Sequence, residues 1–221
     1  MIKQLIDEAL VAHGFVSKRD LDNTSFYIRE SGSAIRFAVL HNIYDLPDPA
    51  ELNNTINQLA PDEFLRNPSF KKNCDLICIH RIDVLAKFKD HEEEIFAIEE
   101  DPHFYKKYVL YYSIAEESAL TNFTYDKLVS VIADKKEFLE YKEKPLVATQ
   151  YSFAAKTFIK LPFLELPSHQ ENLVSLRLQA AEAVAQASLN HTYLTIQKVT
   201  DKNADEIIKE MIKNELANIQ D

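Results

Sequence analysis

The stretch CDLICIHRI, Cys74 to Ile82, decides how the rest of the chain is read. Leu76, Ile77, Cys78 and Ile79 are consecutive apolar residues, so neither face of a strand here would be polar. That is the pattern of a central strand, buried on both sides. Upstream, SFYIRE (25–30) and AIRFAVLHNI (34–43) flank Ser31-Gly32-Ser33 and predict a β-hairpin, with its turn at Gly32. Before the hairpin, Ile2, Leu5, Ile6, Ala9 and Leu10 recur at helical spacing, and Gly14 is a natural stop. Pro49 opens a short helix carrying Leu52, Ile56 and Leu59. Downstream, residues 83–100 read as a helix with Leu85, Phe88, Ile95 and Phe96 on its buried side. Pro102 ends it, since the residue before a proline is pushed out of the helical region. Phe104 to Tyr112 is then a strand, rich in aromatic and β-branched residues.

The second half is mainly helical. Ser113 and Glu116 have capping-box spacing. Thr124 can cap a helix to about Lys142, with Leu128, Val131, Ile132 and Leu139 inward. Residues 147–167 are ambiguous between helix and strand, followed by an extended piece bracketed by prolines. ENLVSLRLQAAEAVAQASL (171–189) is a helix whose alanines permit close approach to another helix, and HTYLTIQKV (191–199) reads as a short strand. Asn203 and Glu206 suggest a second capping box before a helix with Ile207, Ile208, Met211, Ile212, Leu216 and Ile219 on one side. The fold class is α+β: a mixed sheet of about four to six strands, flanking helices and a mainly helical C-terminal half. The reading is one domain over 1–221, with a possible subdivision into 1–113 and 114–221.

Composition excludes several functions. The 221 residues include only two glycines, Gly14 and Gly32, and no glycine-rich phosphate loop. Nucleotide hydrolysis by this chain is therefore not expected. A net charge of −10 disfavours binding DNA through the average surface, though not through a local patch. Cys74 and Cys78 share a strand face roughly 13 Å apart, too far for one disulfide. They fit reduced core residues of a cytoplasmic protein. No signal peptide and no membrane-length apolar run is visible.

The densest run of ionisable groups is AIEEDPHFYKKYVLYYS, Ala97 to Ser113. Glu99, Glu100 and Asp101 could bind a metal, but with no D/E-x-K hairpin partner in the sequence a surface or interface role outweighs a metal site. A restriction-endonuclease-like nuclease would need an acid on one strand and D/E-x-K on the next, holding Mg²⁺. The hairpin carries Arg29, Glu30 and Arg36 instead, and Glu140-x-Lys142 falls within a predicted helix. The seven histidines lack H-x-x-x-H spacing, and no G-x-S-x-G occurs. No catalytic, cofactor-binding or metal-ligating residue is assigned, and no cofactor is expected. Strand parity divides the lysines: Lys106 lies with Phe104, Tyr108, Leu110 and Tyr112, while Lys107 lies with His103, Tyr105, Val109 and Tyr111. Core packing ranks first for this strand, a protein interface second and nucleic-acid stacking third.

KKNCDLICIHRIDVL (71–85), the acidic helix after it, IEEDPHFYKKYVLYYS (98–113) and FIKLPFLELP (158–167) together resemble the middle-component family of bacterial ABC-three-component defence systems. The run from Ile98 to Leu110 is the most recognisable part. The resemblance implies a small non-catalytic adaptor in a Lamassu- or Ddm-like antiphage or antiplasmid complex. Its partners would be an SMC/Rad50-like ABC ATPase and a nuclease effector, with DNA reached indirectly through the ATPase and no membrane involved. Glu99, Glu100, Asp101, Lys106 and Lys107 are then candidate interface residues. The alternatives are a degenerate restriction-like nuclease, tested by metal-dependent cleavage, and a direct DNA-binding module, tested by salt-dependent binding.

Overall fold

A computed structural model describes residues 1–32, 34–167, 176–196 and 204–218. Contacts gather the chain into two compact units, Met1–Pro167 and Ser168–Asp221. The first unit holds a five-stranded sheet in the order β1-β2-β3-β4-β5. Helix α1 (Ile2–Ala12) precedes β1 (Val16–Asp20), β2 (Thr24–Ser31) and β3 (Ala34–Ile43), which pair antiparallel. The chain then crosses over through α2 (Pro49–Leu59) and α3 (Asp62–Arg66) to β4 (Cys74–Ile82), parallel to β3. A 3₁₀ turn (Leu85–Asp90) and α4 (Glu92–Glu100) lead to β5 (Lys106–Ser113), parallel to β4. The expected mixed sheet and mainly helical second half are both present.

The doubly apolar pattern of β4 has its counterpart in two cores. Leu76 and Cys78 face one side, with Leu52, Ile56, Phe64, Ile95 and Ile98 from the crossover helices. Ile77 and Ile79 face the other side, with α1 and the later helices α6 (Tyr125–Ala133) and α8 (Gln150–Lys160). All five residues of the expected α1 stripe are buried. Gly32, in the hairpin turn, has φ 59°, a conformation that costs a side chain-bearing residue about 1 kcal/mol or more.

Several expectations are corrected. β1 went unread because VSKRD is exposed throughout and has no apolar alternation; only its pairing with β2 makes it a strand. Residues 83–100 do not form one helix. The 3₁₀ turn winds three residues per turn and resets the phase, so Ile95 and Ile98 are buried while Phe96 is exposed. The helix from Thr124 breaks at Asp134, whose carboxylate accepts from Lys136 N and Glu137 N and so opens α7 (Lys135–Glu143). Leu139 is exposed as a result. α5 (Ile114–Ala119) begins at the expected Ser113–Glu116 capping box, and the ambiguous 147–167 stretch forms α8 followed by an extended segment.

In the second unit, α9 (Leu176–Gln186) occupies part of the expected 171–189 helix, and residues 171–175 lie outside the described ones. HTYLTI is helical, as α10 (Asn190–Ile196), not a strand. Ser188 turns the chain at φ 59°, and Leu189 N donates to Val184 O across the turn, so the next segment starts as a helix despite its β-branched residues. α11 (Ala204–Asn218) is present, with Ile208 and Ile212 half-exposed. Asn203, the side chain of Leu216, Ile219 and residues 197–199 lie outside the described residues.

Candidate functional site

The charged run from Glu99 to Lys107 resolves into two internal locks and an exposed tip. α4 ends at Glu100, and Asp101 takes an extended conformation before Pro102. The loop then curls back so that the Lys107 ammonium lies 2.8 Å from Asp101 Oδ2 and donates to the carbonyls of His103 (2.6 Å) and Tyr105 (3.2 Å). The Lys107 side chain is wholly buried. An ammonium has three protons and no acceptor, so these oxygens use its full capacity. Asp101 also accepts from Asn53 Nδ2 at 3.0 Å and from His103 N at 3.2 Å. Burial opposes its ionisation, but the hydrogen bonds from Lys107 and Asn53 prevail and hold the carboxyl below its usual range.

Glu99 forms the second lock. β5 is an edge strand, and its outward-facing Val109 N–H would otherwise lack a sheet partner. Glu99 Oε1 accepts that N–H at 2.8 Å, and Lys160 Nζ of α8 lies 2.6 Å from the same carboxylate. Glu100 and Lys106 are exposed. Of the five candidate interface residues, the fold therefore engages Glu99, Asp101 and Lys107 internally and leaves Glu100 and Lys106 facing water. Phe104, at the loop's tip, has φ 64° and is 47% exposed, with Lys71 Nζ 4.3 Å from its ring centre.

A third polar group was missed at the sequence level. Glu116 is fully buried; it accepts from Ser113 N at 2.9 Å and from Lys156 Nζ at 2.7 Å, and Ser152 Oγ donates to its other oxygen. Burial pulls the Lys156 ammonium below its ordinary pKa, against the pull of Glu116. The Lys156 ammonium also stands 4.7 Å from the Tyr111 ring, which stacks on Phe88. The capping box did locate Glu116. The remaining signal was the spacing of four that sets Ser152, Lys156 and Lys160 on one face of α8.

The other reactive groups are held inert or structural. Cys74 and Cys78 are free and buried; burial raises both thiols, Cys78 up to about 12, so neither is an effective nucleophile at neutral pH. His80 is buried with its ring 5.8 Å from that of His91, and Nε2 lacks a partner. Asp75, 2% exposed on β4, pairs with Arg36 at 2.9 Å, and burial raises its pKa. Among the described residues no group of three or more His, Cys, Asp or Glu side chains is placed to hold a metal ion. Nor is any described helix long and apolar enough to cross a membrane.

No curated protein and no solved structure matches the chain. Residues 36–137, from β3 into α7, match the family described as ABC-three component (ABC-3C) system Middle Component 1, so a little under half of the chain is similar to that family.

Proposed function

We propose that the chain is a non-catalytic adaptor subunit of an antiphage or antiplasmid defence complex, joining an SMC-like ABC ATPase to a nuclease effector. The observation that carries this reading is the family match over residues 36–137, which takes in the whole parallel half of the sheet. The geometry agrees with it. Glu99, Asp101, Lys107, Glu116 and Lys156 are each engaged in a pair that joins two segments of the fold. Their chemistry is structural, and what remains outward is suited to contact. Phe96, Phe138, Leu146 and Ile159 are exposed apolar side chains on the first unit, and Ile208 and Ile212 on the second. Side chains of this kind form the desolvated centres of protein interfaces.

The test is co-purification of the chain with the products of its neighbouring genes. A stoichiometric complex is expected, and a chain that elutes alone beside them overturns the adaptor reading. A nuclease is the second reading, favoured by the layout: a helix, three antiparallel strands, a helical crossover and a parallel strand. Against it, Tyr27, Ala38 and Leu40 pack in the core on the α1 side of β2 and β3, where paired acids would be needed. Mg²⁺-dependent DNA cleavage by the purified chain, lost in Asp101→Asn, would establish it.

A further inference from the structure

We propose that the end of the sheet where β4 and β5 begin binds single-stranded nucleic acid. Lys71, Lys72, Lys106 and Arg36 contact its phosphates and Phe104 stacks on a base. This goes beyond the adaptor reading and does not depend on it. The chain carries a net charge of −10, yet four cations lie at this end of the sheet, at or near the starts of β3, β4 and β5. Lys71 and Lys72 are exposed immediately before β4, and Lys106 is exposed as the first residue of β5. Asp75 of β4 lies opposite Lys106 in the sheet register and 2.9 Å from Arg36 of β3, which brings the fourth cation into the same group. Asp75 is almost wholly covered and lies within the electrostatic reach of Arg36 and Lys106, while Lys71 and Lys72 stand exposed at the same end of the sheet.

Phe104 supplies the second observation. A bulky residue with φ 64° is an outlier that only a strongly determined loop maintains. The Lys107 ammonium, held by Asp101 and the carbonyls of His103 and Tyr105, provides that determination. The loop thus presents an aromatic ring to water beside Lys71. Protein interfaces are depleted in lysine, whereas nucleic-acid interfaces are strongly positive, so the three lysines favour a phosphate backbone over an acidic protein segment. An exposed ring among cations fits unpaired bases, which can stack on it; paired bases in a duplex cannot.

The experiment is fluorescence anisotropy of a labelled single-stranded oligothymidine with the full chain, across a salt series. Binding at low salt is expected. Lys71→Ala/Lys72→Ala/Lys106→Ala should weaken it at least ten-fold and reduce the salt slope by about 2, from about 0.7 per phosphate contact. Phe104→Ala should weaken binding about ten-fold with the slope unchanged. Lys87→Ala/Lys89→Ala, exposed lysines on the 3₁₀ turn, should bind as the parent does. Unchanged urea midpoints confirm that the variants are folded. The proposal is overturned by absent binding at low salt, by a triple variant that binds like the parent, or by a duplex that binds equally well with Phe104→Ala silent. Polyglutamate that displaces the probe as well as unlabelled oligothymidine does also overturns it, in favour of an acidic protein partner.

Discussion

Lys106 and Lys107 are adjacent in sequence and opposite in consequence. Lys107→Met retains the length of the side chain but strips Asp101 and two carbonyls of their buried donor. Breaking a buried pair in this way costs about 3–5 kcal/mol, so its urea unfolding midpoint should fall sharply. Lys106→Ala, on the water-facing side, should stay within about 0.5 kcal/mol of the parent. Equal effects at the two positions would contradict the assignment. Strand parity in the sequence already separated these lysines. It could not show that Lys107 is buried, because the acceptors exist only once the loop beyond Pro102 has curled back. His80 carries a second residue-scale prediction. Desolvation lowers its pKa in the fold from about 6.5 in the unfolded chain, so the unfolded state binds the proton first. Stability from the neutral ring is therefore intact above about pH 6.5 and declines as pH drops towards 5. Measured against His80→Phe, which cannot take up that proton, the parent should lose relative stability over this interval, and a constant difference would contradict it.

Edges and phases govern the elements. β5 ends the sheet, and the Val109 N–H on its outer edge is met by a side chain from the preceding helix. Glu99→Ala removes that acceptor and the partner of Lys160 together. Hydrogen exchange at the Val109 amide, followed by NMR, should accelerate about ten-fold, in line with the loss of a charged acceptor worth about 1–3 kcal/mol. An unchanged rate would mean that Glu99 does not close the edge. β4 was legible because two buried faces leave an unbroken apolar run, and α1 because its stripe meets one core. β1 was not, since an exposed edge strand carries no apolar signal. The end of α4 at Glu100 was legible but its start was not, because the 3₁₀ turn before it shifted the register by a fraction of a turn and exchanged Phe96 for Ile98 on the buried side. The break at Asp134 had a signal, an aspartate three residues before Glu137, which the longer apolar periodicity across 124–142 obscured.

At the scale of the molecule, an acidic chain uses its buried charges to tie segments together. Asp101 with Lys107 joins the end of α4 to β5, Glu99 with Lys160 joins α4 to α8, and Glu116 with Lys156 joins α5 to α8. The density of charge that resembled a reactive centre in the sequence is thus mostly the fold's own framework. The family resemblance was legible through the run from Ile98 to Leu110, which lies within the matched residues 36–137; the proposed adaptor role has no spacing that chemistry demands, since partners select shape and surface instead. The most direct test of the adaptor account is therefore association. The full chain should be co-expressed with the products of its neighbouring genes, among which the proposal expects an ABC ATPase and an effector, and the purified material weighed by light scattering. The account predicts one complex containing all three chains, lost when this subunit is omitted. An ATPase and effector that assemble equally well without it, leaving this chain alone in solution, would contradict it.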